Sequence, residues 1–322
     1  MKAITYHAYG SPEVLTLQDV PMPEPNDDEL RIRIHATAVN SADWRLRKAD
    51  PWLVRLAFGL QKPNKAILGS SLSGIVDEVG KNVNTFQVGD AVFGLSGTNV
   101  LGTYAEYVCV PANAPIALKP SNVSHEEAAV IPFGAHTAWH FLRKANISAG
   151  QDVLIYGASG AVGTATVQLA KHAGARVTGV CSTDNLELVT SLGADDVIDY
   201  REQDVNQAAG MYDVIFETVN KAPMSMLLEH TKAGGTLILG AGMIKEMLQG
   251  AFTSLTSNKK VIVGAAEERA EDMRFFKELV EAGTLKPVVD RTYTLGQLPE
   301  AHAYAEKGHK KGNVAISIGE KS

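Results

Sequence analysis

The stretch that decides the fold is Asp152-Val153-Leu154-Ile155-Tyr156-Gly157-Ala158-Ser159-Gly160-Ala161-Val162-Gly163. It joins a short apolar run to a glycine-rich turn, and a helical pattern continues from the turn to about residue 172. A strand that enters a glycine-rich turn and then a helix is typical of sites that bind the pyrophosphate of a dinucleotide at the helix N-terminus. The stretch therefore predicts a dinucleotide-binding α/β fold around the turn.

The glycines of the turn nearly match the pattern Gly-x-Gly-x-x-Gly, with Ala158 in the first position and Gly160 and Gly163 in the other two. We expect Gly160 to let the backbone approach a pyrophosphate and Gly163 to let the helix pack closely on the strand. Cofactor contact is predicted for the whole turn, namely Ala158, Ser159, Gly160, Ala161, Val162 and Gly163. The alternative is a glycine-rich turn without a ligand.

Apolar runs and helical patterns alternate on the C-terminal side of this turn. Further runs lie at 176–181, 196–199, 212–216, 236–239 and 260–263. Continuous Val, Ile and Leu runs of this kind are typical of a parallel sheet covered on both faces. The sequence predicts a doubly wound Rossmann domain over residues 122–265.

The residues before this domain are rich in β patterns. Leu30, Ile32, Ile34 and Ala36 alternate with polar residues, which indicates a half-buried strand. Short apolar runs separated by turn residues continue to residue 110 and favour a barrel or sandwich. The last residues, 266–322, contain too few elements for a separate domain. We therefore expect one discontinuous β domain formed by 1–121 and 266–322.

Composition narrows the functional class. The chain has 322 residues, of which 45% are hydrophobic and 20% charged, with a net charge of −6. The acidic balance argues against nucleic-acid binding through a broad basic face. Two cysteines cannot form a disulfide framework or a four-cysteine zinc site. Neither a signal peptide nor an apolar run long enough for a membrane span is visible, so a cytoplasmic location is expected.

Several segments resemble the medium-chain dehydrogenase/reductase superfamily, and specifically its zinc-free quinone oxidoreductase branch. Besides the glycine-rich turn, they are 38–45, 69–76, 88–94, 102–107, 137–139 and 192–195. The resemblance implies a GroES-like β-barrel catalytic domain interrupted by the Rossmann domain. It also implies hydride transfer from NADPH to a quinone or an α,β-unsaturated carbonyl. The alternatives are a zinc-free reductase or dehydrogenase of another carbonyl or alcohol, and a non-catalytic NADPH-binding regulatory protein.

The resemblance also bears on metal binding. Zinc alcohol dehydrogenases of this superfamily hold zinc with a cysteine and a His-Glu pair, and the matching positions here are Asn40, Ser70 and Ser71. Amide and hydroxyl side chains are poor zinc ligands beside thiolate and imidazole. No metal is predicted, so polarisation of a carbonyl must come from hydrogen-bond donors or water.

Three residues are predicted to be catalytic from the same resemblance. Asn40 matches an asparagine beside the nicotinamide ribose and the substrate, and Thr137 matches a threonine near the nicotinamide. Arg45 could donate to the ribose or to the acceptor oxygen. The alternatives are a solvated loop cation for Arg45 and a helix residue that bonds its own backbone for Thr137.

The choice of cofactor depends on the end of the second strand. No acid directly ends it, and Ser182 and Thr183 could donate to a 2′-phosphate, which favours NADPH. The resemblance adds Tyr200 as a contact of that phosphate; the alternative is that Tyr200 simply ends the third strand. Asp184 would oppose the phosphate if it points inward, but it could equally be the N-cap of the next helix, so NADH stays possible. Cofactor contact is further predicted for Val219, Gly240 and Ala241.

Two other features remain. The apolar segment 53–60 predicts a short helix, which is either a hydrophobic wall for a flat acceptor or ordinary packing.

The strands at 236–239 and 260–263 could pair at a sheet edge across a two-fold axis, which predicts a homodimer.

Overall fold

The computed structural model describes residues 1–97, 100–242 and 244–319. The chain forms two compact units. The first contains Met1–Phe133, Glu268–Gly283 and Pro287–Ser322, and the second contains Gly134–Glu267 and Thr284–Lys286.

The secondary-structure elements are numbered in chain order. The strands are β1 (Lys2–Thr5), β2 (Thr16–Asp19), β3 (Glu29–Val39), β4 (Ser71–Val79), β5 (Ala91–Leu95), β6 (Tyr107–Pro111), β7 (Ile116–Leu118), β8 (Asp152–Tyr156), β9 (Arg176–Cys181), β10 (Asp196–Asp199), β11 (Tyr212–Glu217), β12 (Thr231–Leu239), β13 (Lys260–Val263), β14 (Val289–Thr294) and β15 (Asn313–Ser317). The helices are α1 (Ser41–Lys48), α2 (Val54–Phe58), α3 (His125–Lys144), α4 (Ala161–His172), α5 (Leu186–Ser191), α6 (Val205–Ala208), α7 (Met224–Glu229), α8 (Ile244–Thr256), α9 (Ala270–Glu281) and α10 (Leu298–Ala305). Within the described parts of the chain, no helix is both long and apolar enough to cross a membrane.

The first unit is built on a seven-stranded sheet with the order β14-β15-β3-β4-β5-β7, and β6 also pairs with β3. Leu30, Ile32, Ile34 and Ala36 on β3 are buried, as their alternation with polar residues predicted. Burying these side chains on one face of a sheet removes apolar surface from water, which is the main stabilising term of such a core. β15 pairs antiparallel with β3, so the C-terminal segment completes this unit.

The boundary between the units differs from the one expected at residue 121, because the start of α3 packs on the first unit. Val130 packs against Ala38 and Ala315. The Glu126 carboxylate accepts a hydrogen bond of 3.0 Å from the Ser317 hydroxyl. The sequence pattern identifies α3 as a helix but does not show on which sheet its first turns pack.

The second unit contains a six-stranded parallel sheet with the order β10-β9-β8-β11-β12-β13. Val153, Ile155, Val214 and Phe216 are almost fully buried, as expected for strands covered by helices on both faces. The strand order reverses between β8 and β11, which is the point where doubly wound sheets bind ligands at the carboxyl ends of their strands. The predicted fold class, a GroES-like domain with a Rossmann domain, is confirmed.

A pair of stacked histidines joins α3 to β3 in the first unit. The rings of His35 and His125 lie 4.6 Å apart between centroids, and Nδ1 of His125 lies 2.8 Å from the Ser73 hydroxyl. Burial, together with His35 and Lys119, lowers the pKa of His125 to about 4, while Glu126 opposes the shift. Burial and Arg33 also lower the pKa of His35. Both rings are therefore neutral in the folded protein at pH 7.

This pair predicts a loss of stability in mild acid. A histidine with a depressed pKa favours the folded state fully above its unfolded pKa of about 6.5, and that contribution is lost as the pH falls towards 4. For a half-buried ring we expect a loss of about 1–2 kcal/mol. Urea unfolding at pH 7.5 and pH 5 measures it. His125→Gln should reduce the pH dependence, whereas the same change at exposed His309 should not; equal slopes for both variants would contradict the expectation.

Candidate functional site

The site begins at the turn after β8, where Gly157 has a φ of +83°. A Cβ atom at this position would lie 2.7 Å from both Oγ1 of Thr218 and Cγ1 of Val219. Only glycine fits such a left-handed and crowded position without strain. Gly157 therefore makes the tight turn, although it lies outside the match to the Gly-x-Gly-x-x-Gly pattern.

Ala158 lies inside the turn. Its side chain is fully buried, and its backbone N–H donates to the Val180 carbonyl at a distance of 3.0 Å. The side chain and the N–H are therefore used inside the protein, and the contact of Ala158 with a cofactor stays a prediction. Ser159, in contrast, is half-buried, and its hydroxyl accepts a hydrogen bond of 3.1 Å from the Asn185 amide.

Gly163 lets α4 pack directly on the turn. A Cβ atom on Gly163 would lie 2.1 Å from the Gly157 carbonyl oxygen and 2.8 Å from Cα of Ala158. Both neighbours are backbone atoms that cannot move aside without breaking the turn. This is the close helix–strand packing that the sequence predicts for the last glycine of the motif.

Gly160 is different, because nothing inside the protein requires a glycine there. It precedes α4 with an ordinary φ of −82°, and a Cβ atom would meet only the Gly157 carbonyl oxygen at 3.6 Å. The first-turn N–H groups of α4, at Ala161, Val162 and Gly163, have no partner within the helix. Backbone donors beside a position kept free of a side chain fit the phosphates of a dinucleotide.

The residues predicted at the ribose end lie together, because β9 and β10 pair in parallel and end side by side. The Asn185 amide donates to the hydroxyls of both Ser182 and Ser159, at 3.0 and 3.1 Å. It thereby ties the end of β9 to the glycine-rich turn. Sequence reasoning missed Asn185. Its Oδ1 atom is buried and has no partner among the described residues, which leaves an acceptor for a ligand.

A basic residue lies at this end of the sheet that sequence reasoning also missed. Arg201 Nη1 forms an ion pair of 2.9 Å with Oδ2 of Asp184, and both side chains are about half exposed. Tyr200, directly before it, is 45% exposed, and Thr183 is also exposed. The carboxylate that seemed to oppose a 2′-phosphate is therefore balanced by a guanidinium. The sequence signal for Arg201 was its position directly after Tyr200, the residue predicted to contact the phosphate.

Val219, Gly240 and Ala241 follow β11 and β12, at the same end of the sheet as the turn. The buried Glu217 carboxylate fixes the loop after β11 by accepting hydrogen bonds from the N–H groups of Val219, Asn220 and Lys221, at 3.2, 2.6 and 3.0 Å. Burial raises the pKa of Glu217, and these amide donors oppose the shift. The sequence did not single out Glu217, whose role depends on contacts within one turn.

Two predicted residues of the first unit are in direct contact. Asn40 follows β3, is 2% exposed, and donates from Nδ2 to the Ser71 hydroxyl at 2.9 Å. Ser71 is the first residue of β4, which pairs antiparallel with β3. The sheet therefore brings together two of the three positions that the resemblance matches to zinc ligands. An amide and a hydroxyl occupy them and are bonded to each other.

Asp43 holds Asn40 in place and was not predicted. Its Oδ2 atom accepts a hydrogen bond of 2.8 Å from the Asn40 N–H at the start of α1. Complete burial raises the pKa of the Asp43 carboxyl to about 7, and hydrogen bonds from Asn40 and Tyr104 oppose that shift. The available signal was its position in the first turn of a helix that follows an asparagine.

Arg45 and Thr137 are both half-buried and belong to different units. Arg45 lies on α1, with its guanidinium carbon 5.4 Å from the centre of the Trp44 ring. Thr137 lies on α3, in the second unit. The preceding residue, His136, is 3% exposed, and its Nε2 atom lies 2.6 Å from the Glu267 carbonyl oxygen. The His136 ring is therefore bonded inside the second unit.

No group of three or more His, Cys, Asp or Glu side chains in residues 1–97, 100–242 and 244–319 could hold a metal ion. Ser70 is half-buried, and its carbonyl oxygen accepts a hydrogen bond of 2.7 Å from the Ser96 N–H.

Comparison with known families matches both parts of the chain. Residues 26–121 match the alcohol dehydrogenase GroES-like domain, and residues 192–316 match the zinc-binding dehydrogenase family.

Several relatives are similar to this chain over almost its whole length. The chain is 32% identical over 327 residues to the 2-methylene-furan-3-one reductase of Solanum lycopersicum, with 98% of this chain and 79% of that protein covered. It is 30% identical, with the same coverage, to the chloroplastic NADPH-dependent alkenal/one oxidoreductase of Arabidopsis thaliana. Among solved structures, the quinone oxidoreductase from Coxiella burnetii superposes with a TM-score of 0.91 over 99% of both chains at 28% identity.

Proposed function

The chain belongs to the quinone oxidoreductase-like branch of the medium-chain dehydrogenase/reductase superfamily and is an oxidoreductase, and we propose that it transfers hydride from NADPH to a quinone or an α,β-unsaturated carbonyl. The observation that carries the proposal is the turn at Gly160, which leaves room for a dinucleotide phosphate beside unpaired N–H groups. The cofactor supplies the hydride when bound, and the chain binds and orients the reactants. The names of the relatives support quinones, alkenals and enones as acceptors.

The preference for NADPH over NADH rests on the residues at the ends of β9 and β10. No acid ends β9 to bind the ribose hydroxyls in the manner of NAD-dependent enzymes. Instead Arg201 offers a guanidinium, which binds phosphate with several donors. Ser182, Thr183 and Tyr200 offer hydroxyl groups beside it.

We further propose that catalysis needs no metal. An amide and a hydroxyl that bond each other, Asn40 and Ser71, replace ligands that zinc prefers. Polarisation of the acceptor carbonyl then falls to hydrogen-bond donors. Asn40, Arg45 and Thr137 are the proposed catalytic donors, and Asp43 is a positioning residue that fixes Asn40 at the start of α1.

Steady-state oxidation of NADPH and NADH with a quinone, an enone and an alcohol–ketone pair tests the proposal. We expect turnover of NADPH with the quinone or the enone, unchanged after treatment with a chelator. Turnover restricted to the alcohol–ketone pair would favour the other reaction class of the superfamily. Loss of activity on chelation, with recovery on adding zinc, would contradict the metal-free mechanism.

The second unit also offers a surface for a homodimer. β13 is the last strand of the sheet. Gly250 on α8 packs on Val261 of β13, and a Cβ atom there would lie 2.8 Å from it. Apolar side chains of α8 nevertheless stay exposed, namely Leu248 (70%), Phe252 (69%) and Leu255 (86%). An edge strand beside an exposed apolar helix face is the surface that a second copy would cover.

We expect light scattering to give twice the chain mass, and Phe252→Asp with Leu255→Asp to give monomers. Charges buried in an apolar contact without partners cost enough to separate the subunits. Val88→Asp, at an exposed apolar position of the first unit, is the matched control and should leave the dimer intact. A monomeric mass for the active wild-type protein would contradict the dimer.

Both cysteines are free thiols, and burial raises the pKa of Cys109 and of Cys181 to about 11. Such thiols are poorly reactive because the thiolate is the nucleophile. They fit a reducing compartment, which the proposed cytoplasmic location provides, and recovery of the protein from an oxidising compartment would contradict that location.

A further inference from the structure

Residues 48–65 of the first unit, which we call the apolar-basic segment, have no role in the proposed reaction. It contains α2 and the turn before it. Four of its large apolar side chains are exposed, namely Trp52 (58%), Leu53 (43%), Leu56 (63%) and Leu60 (59%). The sequence pattern of residues 53–60 predicts either ordinary core packing or a hydrophobic wall for the acceptor. Core packing does not explain why these four side chains are exposed.

The segment is anchored so that this apolar face points outward. Phe58 packs against the core of the first unit. The Tyr9 hydroxyl donates to the Gly59 carbonyl at 2.8 Å, and the Arg55 guanidinium lies 4.8 Å from the centre of the Tyr9 ring. The outward side chains are therefore held on a fixed support.

Three of the exposed apolar residues lie on the same helical turns. The Arg55 N–H donates to the Trp52 carbonyl and the Leu56 N–H to the Leu53 carbonyl, each at 3.0 Å, so the helical turn begins before α2. Leu56 follows Leu53 by three residues and Trp52 by four, and these spacings place side chains on one helix face. Leu60 lies beyond the helix, which ends at Phe58.

The charge around this face is positive, although the whole chain carries −6. The segment has four basic residues and one acidic residue, Asp50; the basic residues are Lys48, Arg55, Lys62 and Lys65. Lys48, Lys62 and Lys65 are exposed, and no ion pair joins them to a carboxylate among the described residues. Lysines without a carboxylate partner beside exposed apolar side chains are complementary to a partner surface that has anionic groups on the outside and an apolar layer beneath them.

We propose that the apolar-basic segment docks the protein on an anionic lipid surface. Trp52, Leu53, Leu56 and Leu60 enter the boundary between headgroups and acyl chains, where tryptophan is favoured. Lys48, Lys62 and Lys65 face the lipid phosphates. A protein bound in this way works beside a phase in which apolar acceptors dissolve.

Cosedimentation of the full-length protein with vesicles tests the docking. One set contains phosphatidylcholine alone, and the other contains phosphatidylcholine with about 30% phosphatidylglycerol. We expect binding to the anionic vesicles that is at least about tenfold stronger than to the neutral ones and that weakens in high salt. No binding to anionic vesicles, or equal binding to both sets, would overturn the proposal.

Variants locate the contact. Trp52→Ser with Leu56→Ser, and separately Lys62→Glu with Lys65→Glu, should each weaken vesicle binding at least about tenfold. Matched controls elsewhere are Val88→Ser with Met211→Ser for exposed apolar side chains, and Lys286→Glu for an exposed lysine. These should bind as the wild type does. Loss of a dimer in the segment variants with unchanged vesicle binding would identify a protein interface and overturn the proposal.

A second measurement does not depend on how those variants fold. Brominated acyl chains in the anionic vesicles should quench the tryptophan emission of the wild-type protein. The milder variant Trp52→Phe retains Trp44 and Trp139 and should lose most of that quenching while still binding. Equal quenching in both proteins would place the contact elsewhere.

Discussion

Gly160→Asp is expected to weaken NADPH binding at least about 100-fold, which corresponds to about 3 kcal/mol. The variant should nevertheless fold, because residue 160 has an ordinary φ of −82° and a Cβ atom there meets only one carbonyl oxygen, at 3.6 Å. The new carboxylate would occupy the space left for a phosphate and repel it. Fluorescence titration with NADPH measures the affinity, and thermal melting checks the fold.

Two glycines provide the comparison for this variant. Gly210→Asp, in the same unit and with no atom within 4 Å of its Cβ position, should bind NADPH as the wild type does. Gly163→Ala should lower the melting temperature, because its Cβ atom would lie 2.1 Å from the Gly157 carbonyl oxygen. If Gly160→Asp bound NADPH with wild-type affinity, the dinucleotide site would not be at this turn.

Arg201→Ala is expected to raise the KM for NADPH about 10- to 100-fold and to leave the KM for NADH nearly unchanged. A hydrogen bond from a guanidinium to a phosphate contributes about 1.5–3 kcal/mol. NADH lacks the 2′-phosphate and gains nothing from the guanidinium. Steady-state kinetics with both cofactors and one fixed acceptor measures the change in selectivity.

The matched control is Arg176→Ala. Arg176 forms an ion pair of 2.9 Å with Asp196, which joins β9 and β10 at the opposite end from the Arg201–Asp184 pair. A purely structural role for Arg201 would give both variants the same small effect on both cofactors. Equal losses with NADPH and NADH in Arg201→Ala would contradict phosphate binding.

The sequence predicts the sheets well because burial of a strand determines the pattern of its apolar residues. β3 is covered on one face and alternates apolar and polar residues, whereas β8 and β9 are covered on both faces and have continuous apolar runs. β12 shows the limit. It begins at Thr231, five residues before the expected strand, since Gly234 and Gly235 interrupt the apolar run while the backbone still pairs with β11. The pattern of apolar side chains does not predict this backbone pairing between the start of β12 and β11.

The site follows the same division. The glycine motif identifies the turn after β8, but the glycine with the left-handed conformation is Gly157, which lies outside the motif match. Arg201 and Asp43 were not predicted because their roles depend on their surroundings. Arg201, after β10, pairs with Asp184, which follows the neighbouring strand β9, and the carboxyl of Asp43 is completely buried at the start of α1. Residue type and spacing give candidates, whereas burial and strand register decide which of them act together.

The central claim is hydride transfer from a nicotinamide to a conjugated carbonyl. Incubation of the protein with an enone and NADPH deuterated at the transferable position of C4, followed by mass spectrometry of the product, tests it most directly. The account predicts one deuterium on the carbon β to the carbonyl, with the α-proton coming from solvent. An enone product without deuterium on the β carbon, or NADPH binding with neither a reduced enone nor a hydroquinone formed, would contradict it.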